Sequence, residues 1–437
     1  MTRSLLEDEA LDFVRALIRI DSVNTGEPET IGDGETRAAR LVQERLEDAG
    51  IATTFVEPVP GRGSVIARIE GSDPDAGALI VHAHLDVVPV DARDWAHDPF
   101  GGEIDGGLLY GRGAVDMKNF AGVILAAARE FARSGIRPRR DLIFAFLADE
   151  EAGGRWGASW IVDNRPDLLV GATQAISEVG GFSVPLAEGR RAYLLATAEK
   201  GVGGATVTAR GEAGHASRPR PTDPVTRLAA AVARIGEHRF PVVRTPALER
   251  FLEVFGEHRG VSFTDDDLDE QLEDLGFVGR VIAASARQTV APTVLRAGDK
   301  SNIIPATARA SLDLRALPER EDDLRAQVAR LAGPDVEVTW SAWLSPIDSP
   351  LDTPFQDVIS EAIRAEDPAG VVVPYLLPAS TDNKHFARLG VDGYGFVPLR
   401  VPEDFDVYGQ FHSADECVPV ESLFFSARTT VRILRDA

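Results

Sequence analysis

The chain has 437 residues, with 69 Asp and Glu against 46 Lys and Arg, a net charge of −23 and an apolar fraction of 44%. That length exceeds what one compact core sustains and predicts two domains, and the acidic balance argues against nucleic acid or an anionic membrane as a partner. The single cysteine, Cys417, excludes an internal disulfide framework and any cysteine-rich metal site.

Met1 to Ala10 is acidic and lacks the apolar run of a secretory leader, and no segment offers about 18 uninterrupted apolar residues. The expected location is the cytoplasm. Apolar residues recur at helical spacing over residues 11–20 and again over 36–49, where Gly50 is a stop signal. Short apolar runs at 64–69 and 78–81 read as strands, the second leading into His82-Ala-His84-Leu-Asp86. An Ala-rich helix over 120–134 follows. A buried strand over 141–148 then runs directly into Asp149-Glu150-Glu151, followed by a helix over 156–165 and a strand over 174–178. Strands alternating with helices predict a mainly parallel sheet, whose carboxyl ends collect ligands.

The pattern changes near Arg191. Strands over 203–210, 286–296, 306–314 and 336–343, with helices over 223–235 and 319–331, give the β-α-β-β-α-β order of a ferredoxin-like domain. An acidic, Leu- and Phe-bearing stretch at about 246–280 interrupts it and reads as a helical insertion. Beyond Pro350 the α/β character resumes, with helices over 354–365 and 420–434. The expected organisation is a discontinuous catalytic domain, 1–195 and 346–437, carrying an inserted lid and dimerisation domain, 196–345, with turning points near Arg191 and Pro346.

The polar residues at the strand ends are His84, Asp86, Asp116, Glu150, Glu151, Glu178 and His412. Each alone is a common surface or core residue. Together they supply two imidazoles and several carboxylates, the nitrogen and oxygen donors that suit zinc. A two-metal centre needs one carboxylate to bridge, one His and one further carboxylate on each ion, and one more carboxylate off the metals to move a proton. Glu150 and Glu151, adjacent in an irregular turn, can divide the last two duties. Asp86, two residues from His84, is placed to orient its ring.

In order and spacing, His84-Leu-Asp-Val-Val-Pro89, Tyr110-Gly-Arg-Gly-Ala-Val-Asp-Met-Lys118, Asp149-Glu-Glu-Ala-Gly153, Ser177-Glu-Val-Gly-Gly181, Gly214-His-Ala-Ser217, Asn302-Ile-Ile-Pro305, Leu312-Asp-Leu-Arg315, Ser380-Thr-Asp382 and His412 resemble the co-catalytic zinc aminoacylase and carboxypeptidase family. That family includes acetylornithine deacetylase, succinyl-diaminopimelate desuccinylase and glutamate carboxypeptidase. The resemblance covers nearly the whole chain. It implies that His84 and Glu178 bind one Zn2+, Glu151 and His412 the other, and that Asp116 bridges them; Co2+ or Mn2+ suit the same donors. It further implies that Glu150 is the general base, that His215 stabilises the oxyanion, in dimers from the partner subunit, and that Asn302 and Arg315 hold the substrate carboxylate.

Glu199-Lys-Gly201, the insertion and Pro402-Glu-Asp-Phe405 resemble carboxypeptidase S and N-fatty-acyl-amino-acid synthase/hydrolase. Lys384 departs from the family, replacing a common Arg, and His82 stands where a small residue is usual and reads as structural. The expected activity is hydrolysis of the amide bond of a short peptide or an N-acyl amino acid with a free carboxylate, by a homodimer. The alternatives are a biosynthetic deacylase and, from another class, a non-catalytic binding module. Because every ligand position and Glu150 carry competent residues, the enzyme is favoured.

Overall fold

The computed structural model describes residues 3–220 and 223–437; Met1 and Thr2, the start of the stretch read for a leader, lie outside them, as do Pro221 and Thr222. The main body is a ten-stranded mixed sheet. Its centre is parallel, in the order Leu142–Leu147, Ala78–His84, Ala172–Ser177 and Asp392–Gly395. The first two are buried along their whole length because both faces are covered. On one face lie the helices Leu5–Ile18, Lys118–Ser134 and Val420–Asp436. Gly122 permits the crossing of the first two, since a Cβ there would meet the Val14 backbone nitrogen at 2.6 Å. Helices Ala158–Asn164 and Asn383–Ala387 cover the other face.

A second, antiparallel sheet has the order Thr289–Ala297, Thr307–Ala316, Gly201–Arg210, Glu337–Leu344, the spatial order of a ferredoxin-like fold. Helices Pro224–Gly236 and Glu321–Ala332 pack on one face of it. The first sheet strand after the helical stretch begins at Thr289, three residues later than the apolar pattern suggests, because Ala286 still closes the preceding helix.

Two features differ from the expected organisation. The change of pattern at Arg191 lies inside a long strand, Arg190–Glu199, that pairs with Gly370–Leu377 in the main sheet; the chain crosses to the small sheet only at Lys200 and returns at Ile347, opposite Glu199. The helices of the inserted stretch, Pro246–Arg259, Leu268–Glu273 and Phe277–Ser285, pack on Arg190–Glu199 and Gly370–Leu377 rather than on the small sheet. Phe251, Phe255, Leu272 and Ile282 form that apolar contact. Among the described residues no helix is long and apolar enough to cross a membrane.

Candidate metal centre

His84 ends its strand, fully buried. Its Nδ1 lies 2.9 Å from the backbone carbonyl of Asp86, which fixes the proton there and turns Nε2 toward Asp116 Oδ1 at 3.0 Å and Glu178 Oε2 at 3.5 Å. Asp116 presents its other oxygen, Oδ2, to His412 Nε2 at 3.2 Å, and the same nitrogen lies 3.4 Å from Glu151 Oε2. The donors thus fall into two groups of three, His84, Asp116, Glu178 and Asp116, Glu151, His412, with the ligand atoms of each within 4.8 Å of one another. Asp116 belongs to both.

Asp86 lies against the His84 ring as its spacing suggests, with Oδ1 3.5 Å from Nδ1, and its carboxylate has a second task. It accepts the backbone N–H groups of Glu150 at 3.1 Å and Glu151 at 3.0 Å, so it clamps the turn that carries both glutamates, while the His84 ring is held by the Asp86 carbonyl. Asn24 Nδ2 donates to Asp86 at 2.9 Å, Arg62 donates to Asn24 Oδ1 at 2.8 Å, and the guanidinium of Arg62 pairs with Glu35. Glu35 in turn accepts from the N–H of Asp149 at 2.8 Å. Asp149 has φ 73°, which lets the chain turn sharply at the strand end.

Asp116 is held from the other side. The buried carboxylate of Glu416 accepts the N–H groups of Gly113, Val115 and Asp116 at 3.0, 2.6 and 2.9 Å and pairs with Arg112 at 2.8 Å. Glu416 lies four residues beyond His412, so one segment supplies a candidate ligand and the clamp of the candidate bridge. A third buried network surrounds Glu199, which pairs with Lys384 at 2.7 Å and accepts from Thr381 Oγ1 at 2.6 Å and its N–H at 3.0 Å. His82 is buried against Asn383 Oδ1 at 2.9 Å, a structural role.

The electrostatics are those of a site built around cations. Burial, reinforced by Glu178, raises Glu150 well above the carboxylate range; burial raises Glu151 as well, and Glu178 is pushed up to about 7. Burial disfavours charge on His84 and Asp116, yet their mutual contacts and those of Glu178 and His412 outweigh it, raising His84 and lowering Asp116. Hydrogen bonds to Asp116 and Glu151 push His412 up to about 10. Four carboxylates crowd two imidazoles, and Glu151 Oε1 is buried with no hydrogen-bond partner. A divalent cation would supply the missing charge and the missing partner, and the nitrogen and oxygen donor set fits zinc, cobalt or manganese.

The centre opens into a pocket of about 330 Å³ that Glu150 also lines. His215, Asn302 and Arg315 do not reach its wall. His215 is exposed on a two-stranded ribbon beside Ile303, hydrogen-bonded to Ser217 at 2.8 Å, and the carbonyl of the neighbouring Asn302 accepts from Ala216. Arg315 is tied to Asp313 at 2.8 and 3.1 Å. It lies near Lys200, a fully buried lysine that burial first, and then Arg315, push down to about 7. The expected oxyanion and carboxylate residues therefore stand apart from the pocket wall, His215 and Asn302 at the ribbon and Arg315 on the small sheet near Lys200.

The sequence patterns singled out neither Glu416 nor the apolar side of the pocket, where Val179, Val281, Leu377, Tyr408 and Phe411 stand. Hydrophobic periodicity registers such residues only as core.

A family model described as peptidase family M20/M25/M40 matches residues 80–436. The N-fatty-acyl-amino acid synthase/hydrolase PM20D1 of Xenopus tropicalis is 27% identical over 464 residues, spanning 99% of this chain and 87% of that protein. Human aminoacylase-1 is 27% identical over 371 residues, spanning 83% of this chain and 81% of its own. In fold, the chain is similar to the metallo-carboxypeptidase Sso-CP2 of Sulfolobus solfataricus, with a TM-score of 0.73, 18% identity, and coverage of 98% and 99% of the two chains.

Proposed function

Because this chain belongs to peptidase family M20/M25/M40 and is a hydrolase of that family, we propose that it is a two-zinc amidohydrolase acting on N-acyl amino acids or short peptides with a free carboxylate. The observation that carries this reading is the position of Asp116, one oxygen toward His84 and the other toward His412, with the unpartnered Glu151 Oε1 beside it. His84, Asp116 and Glu178 would hold one ion, and Asp116, Glu151 and His412 the second. Bound ions at such a centre polarise a carbonyl and lower the pKa of water.

The chain's own residues supply the remaining chemistry. Glu150 lines the pocket without belonging to either ligand group, and its carboxylate takes the proton of the attacking water and returns it to the departing nitrogen. Asp86, through the two N–H groups, keeps Glu150 and Glu151 pointing apart. The imidazole of His215 donates to the developing oxyanion, and Arg315 with Asn302 holds the substrate carboxylate. The exposure of His215 on its ribbon, outside the pocket of its own chain, supports delivery of that imidazole by a second copy. The exposed edge strand Thr289–Ala297, with Val294 and Leu295 open to solvent, offers that copy a pairing edge.

The test is metal-stripped protein assayed on a panel of N-acyl amino acids and dipeptides, with and without added zinc, alongside metal analysis. Two bound equivalents and zinc-restored cleavage are expected, and Asp116→Asn should lose both ions, whereas Glu178→Gln loses one. Cleavage that survives complete metal removal would overturn the reading. The ranking of substrates separates a peptidase from a deacylase.

A further inference from the structure

One side of the metal pocket is acidic and the other is hydrocarbon. Val179, Val281, Tyr408 and Phe411 are only half-buried there, each with surface open to the pocket, whereas the described chain otherwise buries most of its large apolar side chains. Tyr408 and Phe411 pack on each other and on Phe182, with ring centroids 6.4, 5.7 and 6.0 Å apart, which makes that wall stiff.

Val281 differs from its neighbours in origin. It comes from Phe277–Ser285, a helix of the inserted stretch, while the other wall residues belong to the main body. Its position is fixed by what surrounds it on the helix. Val278, Ile282 and Ser285 are buried, and Ser285 Oγ donates to the carbonyl of Leu376 at 2.5 Å, one residue before Leu377 of the wall. The helix is thus fastened to the strand that forms the pocket, and Val281 stands at the edge of its buried face.

We propose that Val281 caps an apolar subsite which takes the uncharged side of the scissile amide, an unbranched acyl chain or apolar side chain, and that its size sets the longest chain admitted. This inference rests on the amidohydrolase reading for the orientation of the substrate. A polar group placed against Val179, Val281, Leu377 and Phe411 would lose its water with no hydrogen-bond partner offered in return, whereas each methylene buried there is favourable.

The probe is a series of straight-chain aliphatic hydroxamates, from acetohydroxamate to octanohydroxamate, titrated calorimetrically into the zinc-loaded full-length protein. Affinity should rise about fourfold per methylene until the chain meets Val281, then level off. Val281→Phe should erase the rise while leaving acetohydroxamate within about twofold, and Val281→Ala should extend it to longer chains. Equal affinity across the series, or a loss in Val281→Phe that is the same for every length, would overturn the proposal. Cleavage of the N-acyl amino acid panel is measured separately. A wild-type protein that binds the series with rising affinity yet cleaves nothing would sink the hydrolase reading and leave the subsite standing; one that cleaves the panel with unchanged chain-length ranking in both variants would do the reverse.

Discussion

The phenol of Tyr375 donates to the backbone carbonyl of Val179 at 2.9 Å. Val179 has φ 51°, a left-handed conformation that a β-branched residue rarely holds, and it directly follows the candidate ligand Glu178. The strand Gly370–Leu377 thereby pins the backbone that aims Glu178. Tyr375→Phe should lower stability by roughly 0.5–1.5 kcal/mol and weaken zinc binding at the site of His84 and Glu178 by about tenfold or more. Denaturant unfolding and zinc titration measure the two effects, and unchanged affinity at both sites would show that Val179 keeps its conformation unaided.

Glu150 faces the pocket without belonging to a ligand group. Glu150→Gln should reduce kcat by roughly 10²–10⁴ while the protein retains two equivalents of metal. Loss of metal along with activity would instead make Glu150 a ligand.

His215 lies outside the pocket of its own chain. If a second copy delivers it, His215→Ala and Glu150→Gln are each inactive alone. Mixed and allowed to exchange, they should recover about a quarter of wild-type activity, because half the dimers are then mixed and each mixed dimer holds one complete site. No recovery, in mixtures shown to exchange subunits, would place His215 in the site of its own chain.

Asp367 predicts an acid-dependent stability remote from the metals. Burial raises its pKa, but Arg191 at 2.7 and 2.6 Å and Tyr193 at 2.8 Å outweigh burial and hold the carboxyl below its ordinary value. A folded-state pKa below the unfolded one means that the unfolded chain binds the proton first. The contribution is therefore present above the unfolded carboxylate pKa of about 4 and is lost as pH falls through the folded value. Asp367→Asn should cost roughly 1–3 kcal/mol at neutral pH and flatten the acid limb of a plot of urea midpoint against pH.

Among the candidate metal donors, His84 and Glu178 stand where apolar runs end and Glu151 shortly after one, whereas Asp116 and His412 lie in turns and were legible only through the motif resemblance. Such runs mark the carboxyl edge of a parallel sheet whatever the details of packing. Strands 370–377 and 392–395 were not readable: Pro374 interrupts one, and the other is Asp-Gly-Tyr-Gly, with little side chain to show a period. The nearness of Asp86 to His84 was legible from two-residue spacing, but its hold on the N–H groups of Glu150 and Glu151 was not, because those residues approach from another strand. Glu416, Asn24 and Arg62 act through backbone N–H groups or through one another, and such contacts leave no pattern along a chain. His215, Asn302 and Arg315 each stand in a motif of the family yet outside the pocket wall, since motif order carries no distance.

Both passages between the two sheets run side by side, with Glu199 opposite Ile347. They form a neck two strands wide, and turning the small sheet twists that neck. The carboxylate at its base, Glu199, is the one that grips Thr381 and Lys384, next to the 377–380 segment of the pocket wall. Any turn of the small sheet about this neck would therefore reach the 377–380 wall of the pocket through Glu199.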